Sequence, residues 1–145
     1  MATVRDMIRR KGGEVFGVAP EATVYEALAS MAKHNTGALL VKDGDNVVGI
    51  VSERDCVRKV ELQGKNARDT RIREIMTSNV ISVNCDQTVE ECEALMMDKG
   101  IRHLPVYDGE KLAGFLSVRD VLREVIEMQK TMLSELERYI TGGGR

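Results

Sequence analysis

The chain repeats itself, and that repetition limits its possible folds more than any other feature. Sliding the 145-residue sequence by 65 positions lays Val15–Val60 on Val80–Val125 without a gap, with 17 of the 46 pairs identical. The identities fall at structurally telling places: Thr23-Val24 on Thr88-Val89, Met31 on Met96, Asp43-Gly44 on Asp108-Gly109, and Gly49 on Gly114. The segment GIVSERD (Gly49–Asp55) lies on GFLSVRD (Gly114–Asp120). A fixed long period means one supersecondary unit used twice, each copy covering an apolar face of the other. One repeat of about 60 residues would be marginal alone, whereas 145 residues suffice for one compact core and not for two ordinary domains. Two similar halves also imply two similar clefts, so the functional question becomes what those clefts hold.

Each repeat reads as strand, helix, strand, strand, helix. The apolar strand Val15–Val18 leads into TVYE (Thr23–Glu26), a capping box with Thr as N-cap and Glu three residues later; TVEE (Thr88–Glu91) is its copy. Behind the first cap, Val24, Ala27, Leu28 and Met31 follow the i, i+3, i+4, i+7 spacing of one buried helical face. The runs Ala38–Val41 and Val47–Val51, separated by Asp-Gly turn residues, read as a hairpin, and Leu104–Leu116 repeats it. A helix then starts at Ser52 or Ser117. The first fades into the polar stretch Glu61–Arg71, while the second keeps its pattern from about Val118 to Ile140 and is ended by Gly142–Gly144. Its stripe of Leu122, Val125, Gln129, Met132, Leu136 and Tyr139 or Ile140 outruns the repeated core, which points to a second subunit. Short amphipathic pieces, Val4–Ile8 and Ile72–Met76, precede the two repeats and match at an offset of 68. The fold class is therefore α/β (α+β): two tandem β-α-β-β-α repeats related by pseudo-two-fold symmetry, plus a long C-terminal helix. The expected boundaries are 1–62 for the first repeat, 63–71 for a linker and 72–145 for the second.

Composition excludes several classes. A net charge of −2 gives no global attraction to nucleic acid or anionic membranes, and 3% aromatics without Trp leave few stacking platforms for single strands. Cys56, Cys85 and Cys92 are odd in number and lack C-x-x-C spacing, so a disulfide framework is not expected and a reducing cytoplasm is the simplest setting. The beginning, MATVRDMIRR, lacks an apolar signal core, and no run approaches a membrane span of about 18 apolar residues. The cysteines and two histidines form no zinc spacing, and no carboxylate cluster suggests catalytic magnesium. Nothing forms a nucleophile–base–orienter set.

The chemistry concentrates in the paired G-φ-φ-S-x-R-D segments, where φ is apolar. A strand there runs straight into a helix N-terminus, bringing free backbone N–H groups and a positive dipole end to a crevice. Asp55 or Asp120, one turn in, can accept hydrogen bonds from both hydroxyls of a ribose, and the Ser hydroxyl and Arg54 or Arg119 can reach phosphate. Ser-x-x-Asp is also a capping box that needs no ligand, and both readings stand at this level. Arg58 and Arg123 either extend the phosphate end or solvate a helix face. Arg9–Lys11 reads as solvated, with Lys11 pointing into the first cleft as the alternative. Met96, Met97 and Met132 read as core or interface, and Cys56 as a buried thiol, with mild reactivity at its helix start as the alternative.

The repeated strand–helix–strand–strand–helix unit ending in G-φ-φ-[ST]-x-x-D resembles the CBS domain pair, also called a Bateman module. The resemblance covers nearly the whole chain; Gly100–Asp120 is similar to a consensus second half, and the long helix ending LERYI is similar to small stand-alone bacterial CBS-pair proteins related to plant organellar ones. It implies an adenosyl ligand (AMP, ADP, ATP, NAD or S-adenosylmethionine) whose occupancy signals energy or redox state to a regulated partner, with no catalysis, no metal and a homodimer formed through helices. In such modules each cleft combines the [ST]-x-x-D end of one repeat with strand edges of the other. Carried over, Ser117 and Asp120 would face Val15, Phe16, Thr36, Gly37 and Ala38, while Ser52 and Asp55 would face Val80, Ile81, Arg102, His103 and Pro105. Gly37 and Ala38 leave room for a flat base; Arg102 and His103 in the copy either pair with phosphates or fill the space. The alternatives are a ligand-free adaptor acting through its terminal helix, and a nucleotide hydrolase using Asp55 or Asp120 as general base.

Overall fold

The computed structural model describes residues 2–142; Gly143 and Gly144, read above as part of the final helix stop, lie outside the described residues. The elements in chain order are α1 (Val4–Lys11), β1 (Gly17–Val18), α2 (Val24–His34), β2 (Ala38–Asp43), β3 (Asn46–Ser52), α3 (Glu53–Lys59), β4 (Val83–Asn84), α4 (Val89–Lys99), β5 (His103–Asp108), β6 (Lys111–Ser117) and α5 (Val118–Ile140). Single 3-10 turns occupy Glu61–Gln63 and Ile72–Glu74. Two compact units result. The first is Glu14–Ile81, and the second joins the segment ending at Gly13 to the stretch beginning at Ser82.

The first unit is a three-stranded sheet in the order β1-β2-β3, with β1 parallel to β2 and β2 antiparallel to β3. Its hairpin forms because Ala38–Val41 is wholly buried and apolar, and because Gly44 takes φ +62° at the turn, a conformation that costs a glycine nothing. The expected strand Val15–Val18 is shorter: only Gly17 and Val18 pair with β2, and the Phe16 ring instead stacks on His34 with centroids 3.7 Å apart. α2 starts at the expected box, the Thr23 hydroxyl accepting from the Glu26 amide and the Glu26 carboxylate accepting from the Thr23 amide. Val24, Ala27 and Met31 turn inward, joining Leu39, Val41, Val51, Cys56, Ile72 and Ile75 in the core.

The second unit repeats this plan with β4-β5-β6, and even the register irregularity recurs, at Val41/Lys42 and at Val106/Tyr107. α4 has the same box at Thr88 and Glu91. Its core includes Val4, Val89, Cys92, Met96, Leu104, Val106, Leu116 and Val121. α5 spans Val118–Ile140, as its periodicity predicts, but only its first turns are buried.

Each unit is closed by one of the short amphipathic pieces. In the first, Ile72 and Arg73 donate backbone hydrogen bonds to Ala22 and Pro20, and Val24 donates to Thr70. In the second, Val4 and Arg5 donate to Gln87 and Cys85, and Val89 donates to Ala2. These bonds are equivalent under the offsets of 65 and 68, so the two closures are the same interaction made twice. The repeated glycines make room for it. A Cβ on Gly49 would sit 2.7 Å from Met76 Sδ and 3.0 Å from the Thr77 carbonyl, and a Cβ on Gly114 would run into the Ile8 side chain. Gly114→Val should therefore displace α1 and lower unfolding free energy by about 1–3 kcal/mol, the scale for overpacking. Urea denaturation measures it, and stability equal to the parent would show that α1 does not need this glycine.

Candidate functional site

Both Ser-x-Arg-Asp segments sit where a strand ends and a helix begins. In the first unit the Ser52 hydroxyl accepts from the Asp55 amide at 3.1 Å, and Asp55 Oδ2 accepts from the Ser52 amide at 3.0 Å. The Glu53 amide donates to the Gly37 carbonyl at 2.9 Å, and Ser52 lies opposite Ala38 in the ladder. The Thr36 hydroxyl donates to the Ala38 carbonyl at 3.1 Å. This corner thus gathers Thr36, Gly37, Ala38, Ser52 and Asp55 within one unit, with Arg54 exposed on the helix. Asp55 Oδ1 lies 3.3 Å from the Lys59 ammonium, which also donates to the Ile75 carbonyl. Val15, Phe16, Val80 and Ile81 are half-buried in the same unit.

The corner in the second unit has the same skeleton. The Ser117 hydroxyl accepts from the Asp120 amide at 3.2 Å, Asp120 Oδ2 accepts from the Ser117 amide at 2.7 Å, and the Val118 amide donates to the Arg102 carbonyl at 2.8 Å. Ser117 lies opposite His103, whose imidazole stacks on Phe115 with centroids 5.4 Å apart. Pro105 is buried, whereas Arg102 and Arg119 are exposed. Burial, reinforced by the Lys11 charge, pushes the His103 pKa below its ordinary value, favouring the neutral ring.

The capping reading of Ser-x-x-Asp therefore holds at both corners, and it does not exhaust the carboxylates. At Asp120 the cap and the Lys11 ammonium, 2.7 Å away, both use Oδ2. Oδ1 has no hydrogen-bond partner among the described residues. Burial alone would push this carboxyl up, but the hydrogen bonds from Lys11 and Ser117 outweigh it and hold the pKa below the usual range. The group is an ionised acceptor with one free oxygen at neutral pH.

Lys11, in a basic run expected to be solvated, reaches the Asp120 carboxylate. Its ammonium also donates to the Phe115 carbonyl, so it links α1 to the end of β6. Arg10 is solvated as expected, and it also pairs with Glu124, a carboxylate whose side chain is only 7% exposed. No local signal marked it: under the 65-residue offset Glu124 stands where the exposed Lys59 does, so its burial shows only in the fold. Cys56 is buried, and desolvation with Asp55 and Glu53 nearby raises its thiol to about pKa 11, which makes it inert rather than reactive. Among the described residues no three metal-ligating side chains converge, and no helix is long and apolar enough to cross a membrane.

Comparison with known proteins agrees with this geometry. The CBS domain family model matches residues 4–62 and again 72–127. A CBS domain-containing protein of Arabidopsis thaliana, CBSX3, mitochondrial, is 37% identical over 97% of this chain and 73% of its own length. The structure of a putative signal-transduction protein with CBS domains from Burkholderia ambifaria superposes with a TM-score of 0.84 at 43% identity, covering 87% of this chain and 95% of that one. The CBS domain pair of protein MJ0100, solved in complex with 5′-methylthioadenosine and S-adenosyl-L-methionine, superposes with a TM-score of 0.78 at 26% identity, covering 88% and 98% of the two chains. Two family matches spanning most of the sequence, on two units of one plan, establish that this chain belongs to the CBS domain family.

Proposed function

We propose that this chain is a non-enzymatic regulatory module that binds adenosine-containing ligands through Asp55 and Asp120 and reports their level to a partner protein. The observation that carries this reading is the free Oδ1 of an ionised, positioned Asp120 beside a helix N-terminus. A carboxylate already fixed by its cap needs no reordering to accept ribose hydroxyls. Beside Ser117 stand Arg102, His103 and Arg119, with cationic and imidazole groups; beside Ser52 stand Gly37 and Ala38, the small pair that the family resemblance sets opposite Ser117 and Asp120, and they leave space for a planar base. The adenosine compounds in the MJ0100 complex support the ligand class. Signalling of energy or redox state would follow from a ligand such as AMP, ATP or NAD.

A second feature supports self-association. Beyond its first turns α5 keeps an apolar face in solvent: Leu122 is 52% exposed, Leu136 51% and Tyr139 81%, with Ile126, Met132, Leu133 and Ile140 also exposed. Leu122, Ile126, Gln129, Leu133, Leu136 and Ile140 alternate spacings of four and three, the repeat of a helix that pairs with another helix. A second copy of the chain offers the same face, and a symmetric contact uses every residue twice.

Asp120→Asn keeps an acceptor for the cap but removes the charge. In calorimetry it should weaken adenosine-ligand binding by roughly 1.5–3 kcal/mol, the scale for hydrogen bonds to a charged group. Unchanged affinity in both this variant and Asp55→Asn would remove these residues from the site. In thermal scans AMP, ATP, NAD or S-adenosylmethionine should stabilise the folded chain by about 2.7 kcal/mol at a hundredfold excess over Kd. A shift with GTP of equal size would end the adenine preference. The double variant Leu133→Glu/Leu136→Glu should sediment as a monomer where the parent is a dimer, because burial of each side chain is worth roughly 1.5–3 kcal/mol; a variant that stays dimeric would take α5 out of the interface.

A further inference from the structure

The apolar seam of α5 runs between two flanks of opposite character. The seam is Leu122, Ile126, Gln129, Leu133, Leu136 and Ile140, and every residue from Gln129 to Thr141 is exposed. On one flank Val118, Val125, Met132 and Tyr139 recur every seven residues; Val125 is half-buried and the other three are exposed. On the other flank the same period places Arg123, Lys130 and Glu137, all exposed. A helix that pairs through such a seam brings its flanks against those of its partner. Which flank meets which depends on the direction of the partner helix, so the flanks select a direction.

In a parallel pair the charged flank of each helix lies along the apolar flank of the other. Arg123 would face the partner's Val118, Lys130 the partner's Val125 and Glu137 the partner's Met132. Each charge would then lose water to an apolar group that offers no counter-ion. In an antiparallel pair like flanks meet. The register that fills every seam position sets Leu122 on the partner's Ile140, Ile126 on the partner's Leu136 and Gln129 on the partner's Leu133, and it fixes the flanks as well. Arg123 falls beside the partner's Glu137, twice by symmetry, Val125 falls beside the partner's Tyr139, and Met132 meets its own copy. Lys130 meets its copy near the two-fold axis, where each is already paired with Glu127 of its own helix at 3.7 Å. Gln129 alone favours the parallel choice, in which it would meet its copy; one polar layer stands against three misplaced charges.

We propose that α5 pairs antiparallel with α5 of a second copy of this chain, in the register set by its seam, with Arg123 and Glu137 as the charges that fix the direction. This rests on the self-association reading above and adds to it the direction, the register and the residues that determine them. The seam from Leu122 to Ile140 is about 27 Å long at 1.5 Å per residue. Antiparallel pairing lays the distal half of each helix, exposed throughout, on the proximal half of the other, where Leu122 and Ile126 are uncovered. The partner's Ile140 then stands on Leu122, within one turn of Asp120, so each helix ends beside the candidate site of the other copy.

The test is cross-linking of the full chain with a short bismaleimide, which the native Cys56, Cys85 and Cys92 do not meet because they are buried. Leu122→Cys and Ile140→Cys chains should each stay uncoupled alone, since the two positions lie about 27 Å apart along the helix. Co-expressed, they should couple to one another. In sedimentation Arg123→Glu and Glu137→Arg should each weaken the dimer roughly tenfold, the scale of two exposed ion pairs reversed, and the double variant should regain the affinity of the parent. Coupling of Leu122→Cys or Ile140→Cys to itself would show a parallel pair and overturn the direction while leaving self-association standing. A double variant weaker than either single one, or a dimer in which no combination couples, would overturn the register. A parent chain that sediments as a monomer would instead overturn the self-association reading, and this pairing with it.

Discussion

Closure of each sheet by a short helical segment lying on a glycine is the interaction on which the rest of the structure depends. A three-stranded sheet with one helix beyond its hairpin cannot cover its own apolar surface. Ile72 and Ile75 complete the core of the first unit, and Val4 and Met7 take the corresponding places in the second. The contact is close: a methyl group on Gly49 would meet Met76 and the Thr77 carbonyl, and one on Gly114 would meet the Ile8 side chain. Three backbone hydrogen bonds, repeated residue for residue, fix the segment's position along the edge of the fold. Everything at the corners inherits that placement, since β3 and β6 carry the glycines in their middles and the capping serines at their ends.

On this common frame the two corners have diverged electrically rather than geometrically. Strand register, cap bonds and helix start are the same at Ser52 and Ser117. The small pair Gly37-Ala38 is replaced by Arg102-His103, and Lys59 by Glu124. The second replacement reverses a charge on the first turns of α5. It is tolerated because Arg10 reaches across from α1, and the same approach brings Lys11 to Asp120. Burying Glu124 without that partner would cost several kcal/mol. The closing segment thus adjusts the chemistry of the corner as well as completing the core.

Much of this was legible in the sequence. The boxes at Thr23, Thr88, Ser52 and Ser117 are local interactions, complete within four residues, so their spacing is enough to predict them. The hairpins follow for a similar reason, with Asp-Gly turns between apolar runs. The ends of β1 were not legible, because whether Val15 and Phe16 join a ladder depends on a partner strand more than 20 residues away and on the stacking of Phe16 with His34. The partners of Lys11 and Arg10 lie 109 and 114 residues ahead. The Arg-Arg-Lys run is exposed, as it reads, but only the fold shows that Glu124 and Asp120 lie beside Arg10 and Lys11. The site residues were found through a local motif; the charge that tunes one of them comes from the far end of the chain.

The order in which the closing segment arrives differs between the units, and it decides how long each final helix can be. In the first unit the segment follows its repeat, so α3 must end at Lys59 and the chain must turn through Glu61–Arg71 to deliver Ile72–Met76 to β3. In the second unit the segment comes first, at the start of the chain, so that unit is in effect a circular permutant of the other. The place of a closing segment against β6 is held by α1, whose Ile8 and Lys11 meet Gly114 and Phe115. No downstream residues are owed to the sheet, and the helix is free to run on to Ile140. The exposed apolar stretch of α5 is thus what permutation leaves over: residues released from closing a fold and available for contact outside it.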